Sequence, residues 1–220
     1  MTIQEAIRSR HAVRSYTDKK IPDEILSALQ AEIDACNREG GLHIQLVADE
    51  PKAFDGMMAH YGKFTGVRNY IALIGRQSDD LDERVGYYGE RVALLAQTLG
   101  LNTCWVAMTF SKRTTRKNCE LAKNEKLVCV LALGYGTTQG EVHVSKPVDA
   151  LCKADGPMPD WFRAGTEAAM LAPTAVNQQK FLVTLSGERV EIKNRGGFYS
   201  NVDLGIVKYH FEIGSGRRLE

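Results

Sequence analysis

The longest uninterrupted apolar segment of the chain is the run from Leu127 to Leu133, and it constrains the fold most strongly. Its seven residues are about a third of the roughly 20 that a membrane-spanning helix needs, so we do not expect it to cross a membrane. Short apolar runs that are bounded by turn residues are typical of buried strands. We therefore predict one central strand here and a second one from Cys104 to Ala107.

Helical signals surround these two strands. Thr2 and Glu5 form a capping-box pattern, which predicts a short helix that ends near Arg10. Pro22 lies in the first turn of a second predicted helix, which ends at Gly40-Gly41. The other predicted elements are a strand over 43–47, a helix from 51 toward 61, a strand over 70–74, a long helix from 79 to 99, a helix over 160–171, a hairpin of strands 181–185 and 190–193, and a last helix over 203–213. The order is not a regular β-α-β repeat, so we expect the α+β class, with helices packed on a mostly antiparallel sheet.

The composition argues against several classes of partner and site. With 28 basic and 27 acidic residues and a net charge of +1, the chain has no electrostatic reason to bind nucleic acid or an anionic membrane. Its five cysteines include no C-x-x-C pair, which argues against a zinc knuckle or a disulfide framework. Cys104 and Cys129 lie in apolar runs and are expected in the core. The first residues form no hydrophobic signal segment, so we expect a soluble, cytoplasmic protein.

Several nucleotide-binding and catalytic motifs are missing from the sequence. Gly134-Tyr135-Gly136 follows an apolar strand, but the next glycine is Gly140, so the dinucleotide fingerprint is broken. The sequence contains no P-loop, no G-x-S-x-G elbow and no H-x-x-x-H pair. We therefore expect no metal site.

Three segments carry residues that are suited to binding a ligand. Arg8 to Arg14 brings cationic donors to a helix end, where they either neutralise a phosphate dianion or form a solvated basic face. Leu171 to Gln179 combines Pro173, small residues and three side-chain amides, as either a donor-rich loop against a flat polar ring or an ordinary turn. Gly86 to Trp105 is a buried helix that leads into a core strand, and it could also line a ligand site.

Together with Gly134-Tyr135-Gly136 and Ser145-Lys146-Pro147, these segments resemble the nitroreductase family over nearly the whole chain. Residues 10–14 are similar to its N-terminal phosphate motif, and residues 172–179 to its flavin-contacting loop. The resemblance implies a nitroreductase-like fold and FMN as the cofactor that performs the hydride chemistry, so no catalytic side chain is expected. It implies Arg10, His11, Arg14 and Lys146 at the phosphate and Thr174, Ala175 and Asn177 at the ring or ribityl chain, with Ala12 and Pro173 completing the cofactor-binding set.

The resemblance also implies an activity. NAD(P)H would reduce the flavin, and a nitroaromatic, a quinone or a similar small acceptor would then take the electrons. Two alternatives stay open. One is a flavin-binding protein without turnover, such as a reservoir or redox sensor, and the other is a scaffold that has lost the flavin and works through protein contacts.

The chain departs from the family pattern at two points. Ala12 stands where the family has a serine, which removes one hydroxyl donor from the phosphate motif. The flavin-contacting loop usually comes soon after that motif, but here it comes about 160 residues later, beyond a linker at 157–159. Residues 203–212 also resemble a shortened echo of the segment that begins at Gly86. We therefore expect a main lobe over 1–156 and a partial second copy over 157–220 that completes the flavin site, in a monomeric pseudo-dimer or in a homodimer.

Overall fold

The computed structural model of the chain describes residues 1–219; Glu220, the last residue of the predicted second copy, lies outside the described residues. The helices are α1 (Ile3–Ser9), α2 (Asp23–Gly40), α3 (Met57–Tyr61), α4 (Leu81–Thr98), α5 (Lys112–Lys117), α6 (Val148–Leu151), α7 (Asp160–Met170) and α8 (Ser200–Ser215). The strands are β1 (Gln45–Val47), β2 (Asn69–Arg76), β3 (Asn102–Val106), β4 (Glu125–Gly134), β5 (Cys152–Ala154), β6 (Phe181–Ser186) and β7 (Arg189–Asn194). Short 3-10 turns cover Pro51–Phe54 and Ala175–Asn177.

The main sheet has four strands in the order β1-β2-β4-β3, and each neighbouring pair is antiparallel. The apolar run from Leu127 to Leu133 lies in β4, which is bonded to β2 on one side and to β3 on the other. Its residues are at most 5% exposed, and Cys104 in β3 is buried as well. The strand predicted over the apolar run is therefore central, and the α+β class is confirmed. The second predicted strand exists as β3, but it lies at the edge of the sheet, because its other side has only an isolated bridge to Ala12.

A second, smaller sheet has the order β5-β6-β7. β6 and β7 form the predicted antiparallel hairpin, which turns at Gly187 with a left-handed φ of 61°. β5 was not predicted, and it pairs with β6 in parallel. Because β5 precedes residue 156 and β6 follows it, this sheet joins the two predicted parts of the chain.

Helices α4 and α8 cross where each has a glycine. A methyl group at Gly86 would collide with the carbonyl oxygen of Val202, and one at Gly205 would collide with the carbonyl oxygen of Glu83. Each collision partner lies three residues before the opposite glycine, so the two helices contact each other reciprocally. The largest core cluster contains side chains of α2, the main sheet, α4, α7 and α8.

Several boundaries differ from the sequence prediction, including the following three. The segment from 51 to 61 is a 3-10 turn followed by α3, because Gly56 between them has extended backbone. β1 begins only at Gln45, because the Asn37 side chain accepts from the Ile44 N–H at 2.7 Å and donates to the Ile44 carbonyl at 2.9 Å, replacing ladder bonds. α8 begins at Ser200, before the predicted start at 203.

Within residues 1–219, no helix is both long enough and apolar enough to cross a bilayer.

Candidate functional site

The N-terminal motif follows α1 as an extended segment beside the main sheet. Arg10 ends α1, and Ala12 forms a parallel bridge with Thr103 of β3. The Val13 N–H donates to the Thr103 carbonyl oxygen at 3.1 Å. Because extended backbone alternates its faces, Val13 is buried whereas Ala12 and Arg14 are exposed.

Arg10 is only 5% exposed and lies next to the fully buried Glu90 of α4. Arg10 Nε is 3.4 Å from Glu90 Oε1, which is an ion pair, but the direction is too poor for a hydrogen bond. Glu90 also accepts hydrogen bonds from Trp105 Nε1 at 2.8 Å and from His210 Nε2 at 2.9 Å. Burial would raise the pKa of Glu90, but the Arg10 charge and these donors together hold it below its usual value. Glu90 is therefore ionised, and its negative charge holds Arg10 in place. The guanidinium N–H groups of Arg10 can still donate hydrogen bonds to a ligand.

Buried polar atoms without a partner are concentrated around Arg10. Within residues 1–219, eight buried side-chain nitrogen or oxygen atoms lack a hydrogen-bond partner. Five of the eight belong to this neighbourhood: Arg10 Nε and Nη1, His11 Nδ1, Thr103 Oγ1 and His143 Nε2. Buried polar groups are normally hydrogen-bonded, so a cluster of orphaned atoms points to a polar ligand. Because most of these atoms are nitrogens beside a positive charge, the ligand they suit is an anion.

The two histidines of this cluster respond to the same charge. Burial lowers the pKa of His11, and the Arg10 charge lowers it further. Burial also lowers the pKa of His143, and Arg10 is again the largest charge acting on it. The three side chains therefore share one electrostatic neighbourhood. Sequence reasoning predicted Arg10 and His11 but missed His143, which lies in an irregular connecting stretch without a recognisable motif.

The second predicted segment is a strained loop after α7. Val176, Asn177 and Gln179 all have left-handed backbone, with φ of 47°, 53° and 45°. Such backbone is rare outside glycine, and for a β-branched residue such as Val176 it is an outlier. Val176 is also 90% exposed, so it gains no packing in return. Strain of this kind, on the order of 1–3 kcal/mol per residue, clusters at ligand sites.

Asp203 of α8 holds one side of this loop. Its carboxylate accepts from the Ala175 N–H at 2.9 Å and from Gln178 Nε2 at 2.7 Å. Burial raises the pKa of Asp203 to about 6, although both donors oppose that rise. Sequence reasoning placed Asp203 only at the start of a helix, because its two partners come from a distant part of the chain.

The connecting stretch 144–146 holds the other side. Lys146 Nζ donates to the Gln178 carbonyl at 2.6 Å, and the Lys146 N–H donates to Gln179 Oε1 at 2.8 Å. Asn177 Nδ2 donates to the Val144 carbonyl at 3.0 Å, and Asn177 Oδ1 accepts from Gln179 Nε2 at 2.8 Å. Lys146 and Asn177 are thus brought together, and the amide of Asn177 shapes the loop. Thr174 Oγ1 accepts from the Gln179 N–H at 3.0 Å.

Residues 143–146 connect the two halves of the predicted site, because the Arg10 charge acts on His143 while Val144 and Lys146 form hydrogen bonds with the loop. A cavity of about 320 Å³ next to the loop is lined by Lys146, Lys180 and Arg195, so it is positively charged. A larger cavity of about 400 Å³, beside Arg84 and Glu125, contains none of the predicted site residues.

Comparisons with known proteins concern the family and the fold of the chain. A family model described as "Putative TM nitroreductase" matches residues 2–215. The chain has no match among curated proteins.

Solved structures with the same fold include three nitroreductases. A "putative nitroreductase" of Thermotoga maritima has a TM-score of 0.68 at 19% identity, covering 97% of this chain and 83% of its own. One of Desulfovibrio desulfuricans, solved in complex with FMN, has a TM-score of 0.57 at 19% identity, covering 72% of this chain and 99% of its own. An FMN-dependent nitroreductase of Clostridium difficile has a TM-score of 0.51 at 17% identity, covering 63% of this chain and 90% of its own. At these identities the likeness is one of fold.

Proposed function

Because the chain belongs to the nitroreductase family whose model it matches, we propose that it is an FMN-dependent oxidoreductase. It takes electrons from NAD(P)H and passes them to nitroaromatics, quinones or similar small acceptors. The observation that carries the proposal is the buried Arg10, whose Nε and Nη1 have no hydrogen-bond partner, together with the equally unbonded Nδ1 of His11. The FMN in the Desulfovibrio structure supports the choice of cofactor.

The residues around Arg10 fit the phosphate of FMN. A phosphate monoester carries close to two negative charges and offers several oxygen acceptors. The planar Arg10 guanidinium and the His11 imidazole supply matching donors, which Glu90 leaves unused. Arg14 and Lys146 would add positive charge from exposed positions, and Ala12 would contribute through its backbone because it has no hydroxyl.

The strained loop fits the rest of the cofactor. Pro173 prevents α7 from continuing into the loop. Thr174, Ala175 and Asn177 would lie against the ring or the ribityl chain. Asp203 and Lys146 hold the loop before any ligand arrives, so binding need not order it. Bound FMN would supply the hydride transfer, while the chain binds it, orients it and excludes water.

The flavin content of the purified protein tests this function. Cofactor released by heat is compared with FMN, FAD and riboflavin by chromatography, and NAD(P)H oxidation is followed with a quinone and a nitroaromatic. We expect FMN, and NAD(P)H oxidation that depends on the acceptor. FAD, or no flavin after reconstitution, refutes the cofactor. FMN without NAD(P)H oxidation refutes the enzyme and favours a reservoir or sensor, and protein that stays colourless with added FMN favours the scaffold.

We also propose that residues 157–220 act within the chain as the missing second subunit of a family dimer, giving one FMN per monomer. The reciprocal crossing of α4 and α8 at Gly86 and Gly205 supports this, because two equivalent subunits would cross in the same symmetric way. The Desulfovibrio chain is matched over 99% of its length by 72% of this chain, so more than a quarter of this chain has no counterpart in it.

Mixing two defective variants distinguishes the pseudo-dimer from an ordinary homodimer. Arg14→Ala should weaken FMN binding by about 1.5–3 kcal/mol, the range for hydrogen bonds to charged groups. Asn177→Ala should impair the loop. If both residues serve a site within one chain, an equimolar mixture remains as defective as its components in an FMN titration. Recovery of about a quarter of the sites after subunit exchange, as a shared two-fold interface would give, refutes the pseudo-dimer.

A further inference from the structure

His143 has a buried nitrogen that the protein itself does not use. It lies between Gly140, which packs against the backbone of Ala12, and Val144, which accepts from the flavin-contacting loop. Its Nε2 is buried and has no hydrogen-bond partner. The residue is therefore held from both sides of the chain, while one of its ring nitrogens faces no protein acceptor or donor.

Arg10 and His143 form no hydrogen bond with each other in this structure. Arg10 offers only donors, and neither its Nε and Nη1 nor His143 Nε2 has a hydrogen-bond partner, although the Arg10 charge acts on His143. A phosphate would resolve both shortages at once, because its oxygens accept from a guanidinium and from an imidazole N–H. A neutral ligand group would satisfy the hydrogen bonds but leave the Arg10 charge only partly balanced by Glu90.

We propose that His143 is a phosphate-binding residue of the FMN site and that it takes up a proton when the phosphate binds. The inference rests on the proposed function, and it names one contact and one linked proton that the proposed function does not require. It also predicts which part of FMN is responsible, since riboflavin lacks the phosphate.

The direction of the proton linkage follows from the charges around His143. In the free protein, burial, Arg10, His210 of α8 and His11 all lower its pKa, and the backbone of Met170 only partly opposes them. Glu90 is already paired with Arg10 and His210. A bound phosphate dianion would raise the pKa of His143, so the proton enters on binding. FMN should therefore bind more tightly as the pH falls, by up to about tenfold per pH unit for one proton.

Flavin-free protein tests this with two ligands and two pH values. Dissociation constants for FMN and riboflavin are measured by fluorescence at about pH 6.5 and pH 8, above the second phosphate pKa of about 6. Proton uptake is measured by calorimetry in two buffers of different ionisation enthalpy. The variants are His143→Asn and His143→Gln, and the control is His60→Asn, which changes an exposed histidine of α3.

For the wild type we expect proton uptake with FMN but not with riboflavin. His143→Asn should reduce that uptake, flatten the pH dependence and raise the FMN dissociation constant about five- to tenfold at pH 6.5, which is the range of one lost hydrogen bond. Its riboflavin affinity should stay within about twofold, and His60→Asn should match the wild type. His143→Gln should restore FMN affinity but not proton uptake. That result would support a hydrogen bond from His143 to the phosphate and a proton that only the histidine can take up.

Three outcomes overturn the inference. Unchanged proton uptake and pH slope in His143→Asn exclude the linked proton, while wild-type FMN binding leaves the proposed function intact. Equal losses of FMN and riboflavin affinity in both His143 variants would mean that the residue acts only on the fold. A wild-type chain that binds neither flavin refutes the proposed function, and the inference with it.

Discussion

Replacing Asp203 with Asn should change how the stability of the protein depends on pH, by an amount that follows from one carboxyl group. Burial raises the pKa of Asp203 from 3.8 to about 6, even though Gln178 and Ala175 donate hydrogen bonds to the charged form. The folded protein therefore binds the Asp203 proton more tightly than the unfolded chain does. The ionised carboxylate of Asp203 therefore stabilises the fold less than the protonated carboxyl group does.

The sign and the size of the Asp203 contribution to the free energy of unfolding follow from this pKa shift. Because the folded-state pKa is raised, the group favours the fold most below pH 3.8, and this contribution is lost as the pH rises to about 6. A shift of about 2 pKa units corresponds to about 3 kcal/mol, at about 1.4 kcal/mol per unit. About 2 kcal/mol of that change should appear between pH 4.5 and pH 7, since at pH 4.5 the unfolded chain has already lost most of its proton.

Urea unfolding of the wild type and of Asp203→Asn at several pH values measures this quantity. Asn does not titrate, so the difference between the two free energies of unfolding cancels the other groups and isolates Asp203. At every pH the variant should lose about 0.5–1.5 kcal/mol of unfolding free energy, because its hydrogen bonds are altered. From pH 4.5 to pH 7 its unfolding free energy should rise by about 2 kcal/mol relative to that of the wild type. Asp155→Asn is the matched control, because Ser186 and the Gly187 N–H lower the pKa of the exposed Asp155. Its difference should therefore stay nearly flat from about pH 4.5 to pH 7 and slope the opposite way only at lower pH. A difference for Asp203→Asn that does not vary with pH would refute the reasoning.

Two further predictions concern the helix crossing and the phosphate motif. Gly86→Ala and Gly205→Ala should each lower the free energy of unfolding by about 1–3 kcal/mol or more, because the methyl group meets a backbone carbonyl that cannot move aside. Gly156→Ala, where nothing lies near the added carbon, should stay within about 0.5 kcal/mol in the same urea experiment; equal losses in all three would exclude the crossing as the cause. Ala12→Ser should tighten FMN binding by about 0.5–1.5 kcal/mol in a titration, whereas weaker binding would mean that the position is crowded.

Most elements could be predicted because their signals are local. Thr2 and Glu5 form both hydrogen bonds of the capping box, and Gly41 ends α2 with left-handed backbone, as the sequence indicated. The run from Leu127 to Leu133 predicted the central strand, since a strand that is buried on both faces cannot alternate polar and apolar residues. The resemblance to nitroreductases predicted the overall fold, which the family match and the solved structures confirm.

The parts that could not be predicted depend on contacts between distant residues. Glu90 looks like one more charged residue on a helix, but it is fully buried because Arg10, Trp105 and His210 reach it from three other elements. His143 and Asp203 gain their environments in the same way, so no spacing in the sequence marks them. The predicted cofactor-binding residues stay predictions, although the structure brings Lys146 to the loop and gives Arg10 and His11 unpartnered donors.

The buried charges also bear on whether the first predicted part of the chain can fold without the second. Glu90 lies in the predicted main lobe. His210, which donates to it, lies in the predicted second copy and reaches the Ala168 carbonyl through its other nitrogen. Removing residues 157–220 would take one hydrogen-bond donor from a carboxylate that is fully buried, and breaking a buried ionic network in this way costs about 3–5 kcal/mol. It would also remove Phe162, Val207 and other members of the main core. Residues 157–220 therefore help to hold Glu90, and through Glu90 they position Arg10, so the predicted phosphate motif depends on the fold of the predicted second copy.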